Sequence, residues 1–185
     1  MKRNYWKTEG EYWAWEKTGE VYIYGLSGVT YIDIETVVST IADVIKEFKL
    51  PLTIKSGNKY KEEDLTHIEN IIRDCLYEGK NIDFHILERK LEKMRIENRI
   101  LPYGIIILVD DTQYKFKDPK AIYGSGSAEG LIVIRKRYID DATKHEFGHM
   151  IGLGSHHENC VMSYAGTYDQ FCERCRREIK EIWTL

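Results

Sequence analysis

The sequence predicts a single α/β (α+β) domain spanning residues 1–185. Three observations predict it. Strand-type alternation and helix-type periodicity follow one another along the chain. Residues 105–109, Ile-Ile-Ile-Leu-Val, form a continuous and largely β-branched run, the kind buried on both faces of a sheet. A length of 185 residues with 43% apolar content is enough for one sizeable core. No internal repeat and no linker of domain-boundary composition interrupts it.

Residues 13–26 read as a hairpin, with Lys17, Thr18 and Gly19 as its turn and an alternating strand from Val21 to Tyr24. Asp33 is placed to cap a helix running to about Phe48, striped with Ile34, Val37, Val38, Ile41, Val44, Ile45 and Phe48. Residues 51–54 fit a short strand, closed by Ser56, Gly57 and Asn58. Two helices are expected over 62–77 and 83–98, divided by Gly79, Lys80 and Asn81. The run at 105–109 is the central strand. Residues 124–127, Gly-Ser-Gly-Ser, read as a loop, and 131–134 as a further strand whose charged continuation Arg135, Lys136 and Arg137 marks an exposed end. Asp140 or Asp141 can cap a helix from about 142 to 152. A final helix is expected over about 171–183.

Composition narrows the partners. With 27 basic and 30 acidic residues the net charge is −3, which offers no basic excess for nucleic acid. No stretch reaches the roughly 18 apolar residues of a membrane helix. The first residues are positively charged without an apolar stretch behind them, so a cytoplasmic address is expected. In that reducing setting cysteines bind metal more readily than they form disulfides. Cys160, Cys172 and Cys175 lie close together, whereas Cys75 sits alone in an apolar helical pattern and reads as a core residue. His67 and His85 have no ligand partner at suitable spacing. Trp6, Trp13 and Trp15 read as core or surface-patch residues, and Arg174, Arg176, Arg177 and Lys180 as a solvated helix face.

His145-Glu-Phe-Gly-His149 is an HExxH motif on an expected helix. Positions i and i+4 share a helix face, so both imidazoles can reach one metal, while Glu146 is rotated aside where a carboxylate can act as general base on a zinc-activated water. Gly152 can take a positive φ and turn the chain back beneath the metal. A histidine beyond that turn can supply a third ligand, and His156 and His157 are the two candidates.

HEFGHMIG, the following histidines, Cys160-Val-Met162 and a later Cys172-x-x-Cys175 together resemble the archaemetzincins, a branch of the metzincin clan of zinc peptidases. The motifs cover about 144–175. The resemblance implies a compact metzincin-like fold with a twisted mixed sheet, an active-site helix and a small zinc-stapled C-terminal part, about 153–185 beside an N-terminal subdomain of about 1–152. It implies two zinc ions, one catalytic and one structural, with Met162 in the turn beneath the catalytic one. The implied activity is that of a zinc metallopeptidase, endopeptidase or aminopeptidase, with Glu146 as general base and a peptide or protein as substrate.

The chain departs from the family pattern. Ser155 stands where the third histidine belongs, the gap to Cys160 is two residues instead of four, and Met162 to Cys172 is short. Shifting His156-His157 by one inserted residue makes His156 the third catalytic ligand. His157, Cys160, Cys172 and Cys175 then form the structural set. The ungapped alternative exchanges the roles of His156 and His157. Tyr164 matches a tyrosine that some metzincins keep near the zinc, and also fits plain packing. The strand at 131–134 would match the clan's substrate-pairing edge strand. Two rival functions stay open: a non-catalytic zinc-binding protein of metzincin fold that binds peptide or protein partners, and an interaction module holding one zinc.

Overall fold

The computed structural model describes residues 5–8, 11–14, 19–56, 70–77, 81–83, 86–87, 89–90, 93, 104–116, 124–126, 130–154, 156–163 and 168–183. Its centre is a five-stranded sheet. Two strands come early, β3 (Glu20–Gly25) and β4 (Thr53–Ser56), and three later, β7 (Gly104–Val109), β9 (Gly124–Gly126) and β10 (Leu131–Arg135). The order is β4-β3-β7-β10-β9. The first four run parallel, with Val21 opposite Gly104 and Leu131 opposite Ile105, and β9 is antiparallel to β10. Every residue of β7 is buried, which is what a strand flanked in the sheet and covered on both faces requires.

The expected hairpin at 13–26 does not form. β1 (Tyr5–Thr8) pairs instead with β2 (Glu11–Ala14), and β3 joins β4 and β7 in parallel. The alternation of β3 is real, but it reports burial and not pairing partner.

Helix α1 (Tyr31–Phe48) buries Ile34, Val37, Ile41, Val44 and Phe48. Its N-cap is Thr30, not Asp33. The Thr30 hydroxyl accepts from the Asp33 N–H at 3.3 Å, and the Asp33 carboxylate accepts from the Thr30 N–H at 2.7 Å. This reciprocal capping box places Asp33 inside the first turn. Lys49 ends the helix in the left-handed conformation at φ 51°.

The expected helix over 62–77 is only partly within the described residues. Residues 70–74 are helical, and the chain then turns into β5 (Leu76–Tyr77), antiparallel to β6 (Asn81–Ile82). With β8 (Lys115–Phe116) these form a small second sheet. Of the helix expected over 83–98, helical residues are described at 86–87, 89–90 and 93. His67, His85, Trp15 and the side chains of Trp6 and Trp13 lie outside what is described.

A 3-10 turn at Lys136–Tyr138 leads into α2 (Ile139–Met150), which ends two residues before the expected stop at Gly152. Tyr138 occupies the N-cap without a side-chain cap bond. Asp140 and Asp141 sit in the first turn, where their charge suits the helix dipole instead. The last helix, α3 (Glu173–Trp183), starts two residues later than expected.

Residues 124–126 are strand, not loop. Their pairing to β10 moves β10 into the sheet, so the edge strand is β9 and not 131–134. A Gly-Ser-Gly strand pairs through its backbone and leaves no side-chain alternation to read.

Two apolar clusters sandwich the sheet. One joins α1, α2 and α3 to Val21, Ile23, Ile106, Leu108, Ile132 and Ile134. The other holds Ile72, Cys75, Ile82 and Leu87 against the opposite side of β3, β7 and β10. Cys75 is a core residue, as expected. Among the described residues no helix is long and apolar enough to cross a membrane.

Candidate metal centre

Helix α2 is fixed by its apolar face. Phe147, fully buried, and Met150 lie in the same apolar cluster as α1. That orientation sends His145 and His149, one turn apart, toward the segment that follows the helix. The chain reverses at Gly152, whose φ of 111° suits glycine.

The return segment meets both histidines with carbonyls. His145 Nδ1 lies 2.8 Å from Val161 O, and His149 Nδ1 lies 2.7 Å from Leu153 O. A carbonyl oxygen only accepts, so each Nδ1 carries the hydrogen and each neutral ring presents a bare Nε2 lone pair. Those two Nε2 atoms face each other at 3.2 Å. Two acceptors at that distance repel unless a proton or a cation lies between them.

Burial disfavours the proton. It pushes His145 down to about 4, helped by His149 and His156 and opposed by the Val161 bond. His149 and His156 are held below the usual histidine range for the same reason. A metal ion meets the need without protonation. Zinc–imidazole bonds of about 2.0–2.1 Å in a tetrahedron set neighbouring nitrogens about 3.3 Å apart, close to the observed separation.

His156 closes the group. Its ring centroid lies 5.2 Å from that of His145 and 4.9 Å from that of His149. One ring nitrogen from each of the three lies within 4.8 Å of the other two. His157 is not among them.

Glu146 is 7% exposed. Burial pushes its carboxyl up to about 7.

A second group lies beneath. The Sγ atoms of Cys160, Cys172 and Cys175 also fall within 4.8 Å of one another, with Cys160 and Cys175 at 3.6 Å. Zinc–thiolate bonds of about 2.3 Å in a tetrahedron imply about 3.8 Å. Cys172 N–H donates to Cys160 Sγ at 3.2 Å. Burial raises Cys172, but hydrogen bonds from Cys175, Cys160 and Arg174 outweigh it and hold the thiol below its usual range. Burial and the neighbouring thiols raise Cys175. His157 stands outside this group too. Its N–H donates to Met162 O at 3.3 Å, and its Nε2 is buried without a hydrogen-bond partner.

Met162 is fully buried under α2. A Cβ on Gly148 would come within 2.5 Å of its Sδ, so glycine at this helix position lets Met162 pack this close without shifting. A glycine inside a helix was the available signal for that approach. The carbonyls of Val161 and Leu153 had no signal at all, because backbone partners carry no residue type. Tyr164 lies outside the described residues.

No family model matches the chain, and no curated protein matches it in sequence. Solved structures do. An archaemetzincin from Methanopyrus kandleri is 16% identical with a TM-score of 0.57, over 90% of this chain and 96% of that one. Metalloproteinase-II from Bacteroides fragilis is also 16% identical, with a TM-score of 0.54, and there the chain spans 53% of the other's length. The chain thus has an archaemetzincin-like fold.

Proposed function

We propose that the chain is a zinc-dependent metallopeptidase that hydrolyses peptide bonds in a peptide or protein substrate. One observation carries the reading: two bare Nε2 lone pairs face each other at 3.2 Å, on a helix whose residue next to His145 is the buried Glu146. That arrangement suits a cation and a proton acceptor together, and it sits in a fold shared with a protein named a metalloproteinase.

His145, His149 and His156 would hold the catalytic zinc. The position left open by three protein ligands suits a catalytic site. When bound, zinc supplies Lewis acidity that polarises a carbonyl and makes water acidic enough to ionise near neutral pH. Glu146 would take the proton from the attacking water and return it to the leaving amine. Val161 O and Leu153 O keep the two rings in the tautomer that leaves Nε2 free.

Cys160, Cys172 and Cys175 would hold a second, structural zinc, and His157 would turn in from outside the group as its fourth ligand. The buried, unpartnered Nε2 of His157 supports this assignment, since a polar atom in that state lacks the compensation burial demands. The four free thiols suit a reducing, cytoplasmic setting.

Cleavage of a peptide library by the zinc-loaded protein tests the reading. Activity should vanish with a chelator and return with zinc. Glu146→Ala should keep the metal and lose cleavage by about 100-fold or more. Two bound zincs with no cleavage of any peptide would favour the non-catalytic binding protein. Full activity in Glu146→Ala would overturn the mechanism.

A further inference from the structure

The two candidate metal groups meet through the backbone. Cys160 belongs to the cysteine cluster, and the next residue, Val161, lends its carbonyl to His145 Nδ1 at 2.8 Å. Met162 then lies against Gly148, between the two histidines of α2. The strip is tied on every side. Val161 N–H donates to Gln170 O at 2.8 Å, and Ser163 N–H donates to Cys160 O at 2.8 Å. Cys172 N–H reaches Cys160 Sγ, and Cys175 Sγ lies 3.6 Å from it. His149 differs: its carbonyl partner is Leu153, in the turn at Gly152 and outside this strip.

The acceptor on Nδ1 decides which ring nitrogen is left bare, and the loss of such a partner typically changes metal affinity by about 10- to 100-fold. Anything that fixes Val161 O therefore fixes His145 as a ligand. Resting on the reading of both groups as zinc ligands, we propose that the cysteine cluster is a positioning device for His145. Gathering Cys160, Cys172 and Cys175 around a metal sets the Val161 carbonyl. That carbonyl sets the tautomer and ring position of His145, so filling one site strengthens the other. Cys160, Cys172 and Cys175 are positioning residues in this account. By thermodynamic linkage the effect runs equally in both directions.

Cobalt(II) titrated into the reduced 185-residue chain tests this. Thiolate charge-transfer absorption in the near ultraviolet reports the cysteine group, and bands removed by His145→Ala report the histidine group. Cys172→Ser should lower cobalt affinity at the histidines at least tenfold. In nitrogen-15 spectra of the histidine rings, His145 should lose its single Nδ1–H tautomer while His149 keeps its own. A merely structural lesion would disturb both rings alike. Cys172→His, which keeps a metal donor, should restore both readouts. The proposal is overturned if Cys172→Ser loses the near-ultraviolet band while histidine-site affinity stays within twofold and His145 keeps its tautomer. Should that variant not fold, the parent protein decides. Coupled sites fill together, with both sets of bands rising more steeply than single-site binding allows, whereas two independent single-site curves overturn the coupling. If His145→Ala removes no cobalt from the parent, the metallopeptidase reading fails first, a result the cysteine variants cannot mimic.

Discussion

The buried Glu146 and the half-buried His145 are neighbours in sequence and shifted in opposite directions. Both are neutralised by burial, Glu146 by keeping its proton up to about 7 and His145 by shedding its own down to about 4. In metal-free protein their effects on stability oppose. A carboxyl raised from 4.5 stabilises the fold below about 4.5, and that contribution is lost as pH rises through 7. A histidine depressed from 6.5 contributes above about 6.5, and that contribution is lost as pH falls toward 4. Glu146→Gln removes the first effect and leaves the second. Chelated Gln variant should therefore be more stable than the parent at pH 8 by about 2 kcal/mol, and it should lose stability more steeply on acidification from 7 to 4. Denaturant unfolding at several pH values checks both. At this scale the HExxH motif was legible because i and i+4 spacing is a side-chain property. The carbonyls that orient its rings were not, since no residue type marks them.

At the scale of elements, the contact that matters most is α2 on the turn beneath it. Gly148 admits Met162, and Gly152 reverses the chain at φ 111°, where a Cβ would also meet Ile182 Cδ1 at 3.0 Å. Gly148→Ala should cost about 1–3 kcal/mol through overpacking, and Met162→Ala about 2–5 kcal/mol through the cavity it leaves. The double variant should cost less than the sum, because the smaller residue at 162 makes room for the methyl at 148. A fully additive thermal-unfolding cycle would contradict the contact. Gly152→Ala should cost about 1–3 kcal/mol from backbone strain, and it should weaken metal binding at the histidines by moving Leu153 O. Metal titration of that variant measures the second effect. Helices α1, α2 and α3 and strands β7 and β10 were legible because their burial repeats with the period of their own geometry. The hairpin at 13–26 and the edge at 131–134 were misread for one reason: burial pattern names a strand's faces and is silent on its neighbours. β9 shows no pattern because two of its three residues have no side chain.

For the molecule as a whole, the same apolar cluster takes in α1, α2, the turn at 160–162, Phe171, and α3 through Cys175 and Ile179. The described parts around both candidate metal groups therefore share one core. Calorimetry should show a single unfolding transition, and zinc should shift it upward. Binding at one hundred times the dissociation constant adds about 2.7 kcal/mol. Two separated transitions would mean that the C-terminal segment unfolds by itself. Fold class was legible at this scale from alternation and from the β7 run. Sheet order was not, since Val21 meets Gly104 and Ile105 meets Leu131 across separations that no local pattern records.

The parallel pairing of β3, β7 and β10 also orders events during synthesis. No hairpin links these strands, so β7 gains its second neighbour only once residues 131–135 exist. A nascent chain halted before that point would expose one rim of its most apolar strand. Closing so distant a sheet is slow, and an unpaired apolar rim invites association with other chains. The residues that gather at 145–175 leave the ribosome only after strand β10, which completes the pairing of β7.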